Sequence, residues 1–228
     1  MTQPPFAQAI ALPVRSGAER ATLVRRTYGV VFLGVVITCL GAAFAMTQPA
    51  LLAAVQQHFI IAMICVFAPL WMVMRNPREF PQNVALTGLF TFAEGVWLAP
   101  FLLFAERSQP GVINQAALLT LGTFGALSMY AVFSRRDFSA WGQFFIVGLV
   151  VLFITMLLNL FFRSTTAALW ISGATVFVFG GLLVFDTWRI VRSGVYGEDD
   201  YVAAAVQIYL DLLNMFLAIV SLLGGRRR

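Results

Sequence analysis

The apolar positions of this chain fall in long runs divided by short polar breaks. An α-helix needs about 20 apolar residues to cross a bilayer. Runs of that length cover 27–46, 51–74, 83–104, 114–133, 141–162, 167–191 and 201–223. The breaks carry turn residues: TQPA at 47–50, RNPREFPQ at 75–82, ERSQPGVIN at 105–113 and RSGVYGEDD at 192–200. The pattern predicts an all-α membrane protein of seven transmembrane helices. It divides the chain into an N-terminal tail at 1–26, a seven-helix domain at 27–224 and a basic tail at 225–228. The connections are too short for a second domain, and no repeat argues for an inverted-repeat transporter.

Composition agrees. The chain is 60% hydrophobic and only 11% charged, against about 25% charged in soluble domains. Every basic residue is arginine, which excludes a retinal Schiff base or any other lysine-based chemistry. The net charge of +5 does not point to nucleic acid, because the arginines are spread over loops and termini. Cys39 and Cys65 sit in separate apolar runs and read as small buried hydrophobes. A single histidine, His58, cannot build a zinc site. The N-terminal stretch reads as no signal peptide, since its apolar part is short and interrupted by proline. Trp97, Trp141, Trp170 and Trp188 lie near run ends and read as interfacial anchors.

The arginines orient the bundle. Arg15, Arg20, Arg25, Arg26, Arg75, Arg78, Arg135, Arg136, Arg189 and Arg192 fall on one side. Arg107, Arg163 and the arginines at 226–228 fall on the other if the last run spans. The larger set marks the cytoplasmic side and puts the N-terminus there. The last run is also the most polar, so re-entry is an alternative. Its length, with no Pro or Gly in its middle, favours a true span.

Two aspartates break the apolar pattern where a charge is expensive. Asp186 lies in the sixth run and Asp211 in the seventh, and each costs about 2.5–3.5 kcal/mol on insertion scales. Counted from the same side, their depths differ by about 8 Å, and the short linker makes their helices neighbours. Two like charges in low dielectric cannot both ionise freely, so a meeting pair would share one proton and titrate as a unit. The alternative for Asp186 is an intrahelical pair with Arg189 at i+3; for Asp211 it is a protonated or hydrogen-bonded packing residue. Gln207, Asp211 and Asn214 form one stripe at i, i+4 and i+7, which must face protein or water. Glu94 follows Thr87 and Thr91 at helical spacing and is a third acid for the same cavity, or a vestibule residue without special role.

At these residues the chain resembles the transmembrane Bax inhibitor motif family, Bax inhibitor-1 type, in its bacterial branch. The likeness runs from FTFAEGVWLAPFL (90–102) through SRRDFSAWGQFF (134–145), LLNLFF (157–162) and VFDTWRIV (184–191) to IYLDLLNMFLAIVSLLG (208–224). The resemblance implies that the last helix is central and wrapped by the other six. It implies a pH-sensitive calcium leak in which Asp186 and Asp211 share a proton. It also implies a basic latch on the helix-six aspartate, for which Arg78 and Arg75 are the candidates. Trp188 stands where the family usually has glutamine, and the second run lacks the acid that some bacterial relatives carry.

The expected function is a passive, pH-gated cation pathway in a bacterial inner membrane, with calcium and protons as its ligands and no cofactor. Calcium prefers hard oxygen ligands, which ionised Asp186, Asp211 and Glu94, with Asn214 and Gln207 along the path, would supply transiently. No enzymatic activity is expected. An intramembrane aspartyl protease would place two aspartates on adjacent helices, but its Gly-x-Gly-Asp signature is missing around Asp186. A non-conducting regulator that binds a membrane protease or another membrane protein is the main rival.

Overall fold

A computed structural model of the chain describes residues 17–225. The first part of the expected tail, including Arg15, and the arginines at 226–228 lie outside them. Among the described residues there are helices and no strands. They are α1 (Gly17–Met46), α2 (Pro49–Gln57), α3 (Phe59–Arg75), α4 (Gln82–Ser108), α5 (Val112–Phe133), α6 (Ser139–Phe162), α7 (Thr165–Trp188) and α8 (Tyr201–Gly225). Six of them are long and apolar enough to cross a membrane: α1, α4, α5, α6, α7 and α8. This is an integral membrane protein with several spans.

Two boundaries differ from the pattern. Helix α1 is already helical at Gly17, the first described residue, rather than only from 27, because 18–26 is polar but holds no Gly or Pro. The single span expected over 51–74 is a broken pair, α2 and α3, bent by 94°. The break falls on His58, which ends the polar run QQH and leaves helical geometry at φ −115°, ψ 46°. The other turns are built locally. Gly111, at φ +83°, opens α5. The Glu106 carboxylate accepts the amides of Gly111 and Ile113 at 2.6 and 3.3 Å. The Ser164 hydroxyl caps α7 by accepting the Ala167 amide.

Helices α1 and α4 pack by backbone approach. A Cβ added at Gly41 would run into the Phe92 backbone, and one at Gly95 into the Thr38 carbonyl. Across α6 and α7, Gly142 receives the Phe185 ring and Gly181 receives the Phe145 ring. Helix α8 packs on α7, α1, α5 and α4, and α6 packs on α7. Half of the apolar window of α8 is buried, more than in any other candidate span.

The ends of the bundle follow from contacts. The Arg26 guanidinium lies over the Tyr201 ring at 5.8 Å, so α1 and α8 start together. Arg192 Nη2 reaches the Val132 carbonyl at 3.4 Å, which brings the end of α5 to the same side. We call this the basic end. At the opposite end Gly225 lies against Leu169, near the start of α7. Helix α8 is therefore one unbroken helix running antiparallel to α7 over its length, with no re-entry among the described residues. Cys39 and Cys65, expected as buried, are both exposed and free. Trp97, expected as an interfacial anchor, has its indole nitrogen buried instead.

Gly95→Ala is expected to destabilise the bundle by about 1–3 kcal/mol through overpacking of α1 on α4. Gly173→Ala, where a Cβ meets nothing within 4 Å, should be close to neutral. Thermal unfolding of both variants in mild detergent checks this. Equal midpoints would show that the α1–α4 seam accepts a methyl group.

Candidate functional site

The last turn of α7 carries Asp186, and the chain then winds into a π-helical turn over Arg189–Ser193. Such turns insert one extra residue per turn and recur at functional sites. Gly194, at φ +71°, ends it, and a short 3-10 turn at Glu198–Asp200 leads into α8. Running antiparallel, α8 carries Asp211 back past Asp186.

Both aspartates are buried, at 8% and 5% exposure. Their carboxyls face each other across the α7–α8 interface at hydrogen-bonding range. Oδ2 of Asp211 is buried and finds no N–H or O–H donor among the described residues. Two carboxyls can hydrogen-bond only if one of them carries a proton. Asp186 has a second partner: Arg189 Nη1 approaches its Oδ1 at 3.3 Å. The same nitrogen is 3.5 Å from Gln207 Oε1, which also accepts the Tyr196 hydroxyl at 2.6 Å. The guanidinium lies over the rings of Phe185 and Tyr196, at 5.4 and 5.1 Å. Burial pushes the Tyr196 phenol up, so it stays a donor to Gln207 at neutral pH. Next to Asp186, Thr187 ties α7 to α1 through the Tyr28 hydroxyl at 3.0 Å.

Closer to the surface lies a second ion pair. Arg78, from the loop before α4, donates through Nε to Asp200 Oδ1 at 2.6 Å and through Nη2 to Oδ2 at 3.0 Å. Asp200 also accepts the Gly197 amide at 2.7 Å. The hydrogen bond and charge of Asp200 raise the Arg78 guanidinium further above its already high range. The loop 193–200 is thus clasped over the Arg189 cluster.

The expected latch is corrected. The arginine on Asp186 is Arg189, from its own helix, as the i+3 alternative had it. Arg78 is committed to Asp200, and Arg75 lies over the Trp71 ring at 5.2 Å. The expected cation path is also split. Gln207 joins the Asp186–Arg189 cluster, but Asn214 donates to the Leu210 carbonyl of its own helix at 2.8 Å. Glu94 is buried on α4 near the Tyr209 hydroxyl. Tyr209 and Asp211 are two positions apart on α8 and so point to nearly opposite faces. Glu94 therefore does not join the aspartate pair. Among the described residues no group of three or more His, Cys, Asp or Glu side chains could hold a metal ion. Sequence reading missed Tyr196 and Asp200. The signal for Asp200 was the acidic GEDD turn just before the last apolar run.

The family model described as inhibitor of apoptosis-promoting Bax1 matches residues 20–228. An uncharacterized membrane protein of Vibrio cholerae is 36% identical over 167 residues, 72% of this chain and 74% of that protein. Bax inhibitor 1 of Schizosaccharomyces pombe is 30% identical over 213 residues, 90% of this chain and 77% of that protein. The Golgi anti-apoptotic protein of vaccinia virus (strain Lister) is 28% identical over 207 residues, 90% of this chain and 85% of that protein.

Arg78→Glu should release the clasp. Amide hydrogen exchange of 193–200 is expected to speed up several-fold in that variant and to slow again in the Arg78→Glu/Asp200→Arg double variant. Wild-type exchange in the single variant would mean that the ion pair does not hold the loop.

Proposed function

The chain belongs to the Bax inhibitor family, and from that premise we propose that it is a passive cation pathway, for calcium first, gated by one proton shared between Asp186 and Asp211. The observation that carries the reading is the buried Asp211 carboxyl, which has no donor among the described residues and faces a second carboxyl. With the proton in place, the pair is a neutral–anionic couple whose single charge Arg189 balances, and α7 and α8 stay together. Without it, two carboxylates face one guanidinium in low dielectric. Their repulsion favours separation of the helices. The freed oxygens are hard ligands of the kind calcium prefers. Two carboxylates give fewer oxygens than the six to eight that calcium takes, so water completes the shell and binding stays weak, which suits passage. Calcium here is cargo. The role proposed is not enzymatic.

The membrane arrangement belongs to the same proposal. We read α2 and α3 together as one crossing, which makes seven. Supporting this, α1 ends near Leu98 and Leu102 of α4, at the far end of the bundle, whereas Arg78, just after α3, is back beside Arg26. The family's picture of a central last helix fits the packing of α8 on four others. The arginines gathered at the basic end support our reading that this end, with the N-terminus, faces the cytoplasm of a bacterial inner membrane.

A second reading is a non-conducting regulator that binds another membrane protein. It is favoured by the names of two relatives, Bax inhibitor 1 and Golgi anti-apoptotic protein, which describe inhibition rather than transport.

Calcium flux into proteoliposomes separates the two. The leak reading expects flux that rises as pH rises, because the shared proton is lost. Asp211→Asn and Asp186→Asn should each leave a flux that no longer varies with pH. Flux at background in the wild type, together with a stoichiometric partner on purification, would favour the regulator. Unchanged pH dependence in both variants would end the proton-sharing reading.

A further inference from the structure

We propose that a lateral cleft between α1 and α5, on the side of α8 away from Asp211, holds one acyl chain of a bilayer phospholipid. Helices α1 and α5 touch through the rings of Tyr28 and Phe124, 5.9 Å apart. Toward the opposite end they leave a cleft of about 410 Å³. Its floor is Leu213 and Phe216 of α8 with Leu98 of α4. Its rim is formed by Cys39 and Leu121, both exposed. The rim residues are on the outer surfaces of two membrane-crossing helices, so the cleft is continuous with the face the protein turns to lipid.

The chemistry of the walls selects the occupant. Three hydroxyls reach the lining, those of Thr38, Thr120 and Tyr209, and each proton is already used. Thr120 donates to the Ala116 carbonyl at 2.7 Å, and Thr38 donates to the Gly34 carbonyl at 2.9 Å. The 2.7 Å contact between Thr38 Oγ1 and the Tyr209 hydroxyl is therefore donated by Tyr209. A buried water needs two to four polar partners; here the hydroxyl protons are spent within the protein and the rest of the lining is mostly apolar. A headgroup would fare worse. In a membrane there is little hydrophobic drive between apolar surfaces, so packing decides. An empty cleft forfeits dispersion contacts along its whole lining. A flexible hydrocarbon chain, supplied by the surrounding bilayer, restores them. The chain would rest on α8 one turn past the aspartate pair and oppose movement of that helix toward α1 and α5.

The test uses the full chain in liposomes with Phe216→Trp as a reporter on the cleft floor, its emission read as the difference from the parent. Phosphatidylcholine brominated in mid-chain is expected to quench this tryptophan. Adding Ala117→Phe, which fills the cleft from α5, should abolish most of that quenching. Leu118→Phe, on the exposed side of the same helix turn, should not change it. Native mass spectrometry of the wild type should retain one phospholipid per chain, and the Ala117→Phe variant should lose it while keeping its helical circular dichroism. If Ala117→Phe does not fold, Ala117→Leu takes its place. No quenching of the floor tryptophan, red-shifted emission from a wet cleft, or equal lipid retention in the filled variant would each overturn the proposal.

Discussion

A carboxyl group within an apolar bundle tolerates few surroundings, and the arrangement of this protein's last two helices answers to that constraint. An ion there must be paired, and an oxygen without a donor costs about 1–3 kcal/mol or more. Asp186 is paired by Arg189; Asp211 has only Asp186. Everything that fixes the relative position of α7 and α8 therefore acts on this pair. The Tyr28–Thr187 contact holds α7 against α1. The Tyr196–Gln207 bond folds the connecting loop inward. The small residues of the α1–α4 and α6–α7 seams let whole helices approach closely enough for these bonds to be made.

Much of this was legible in the apolar runs. They gave the ends of most helices to within a few residues, because turn residues and charges mark where a helix leaves the hydrocarbon. The break at His58 was not legible. Hydropathy averages over a window, and a run that stays apolar on both sides of QQH gives no sign of a 94° bend. The helical stretch 17–26 was missed for the opposite reason: it is polar and charged, and hydropathy is silent there.

At the site, the neighbourhood of Asp186 and Asp211 could be read from helix order and depth. The partners of the arginines could not. Arg75, Arg78 and Arg189 are all near the basic end, and nothing in their spacing says which acid each one finds. Proximity along one helix gave Asp186 to Arg189. The buried Asp200, at the mouth of α8, took Arg78. Glu94 misled because helical spacing tells which residues share a face, but not which neighbour that face meets. Here it meets Tyr209 rather than Asp211.

The Arg78–Asp200 pair joins two unlike surroundings. Asp200 is buried at 8% exposure, while the side chain of Arg78 is 68% exposed. Mobile ions screen exposed charges over about 10 Å at ordinary ionic strength, and buried charges much less. Salt in the aqueous phase therefore weakens the clasp more than it weakens the hold of Arg189, whose side chain is 28% exposed, on Asp186. Through Arg78 the ionic strength of the solution reaches a loop that covers a more deeply buried ion pair.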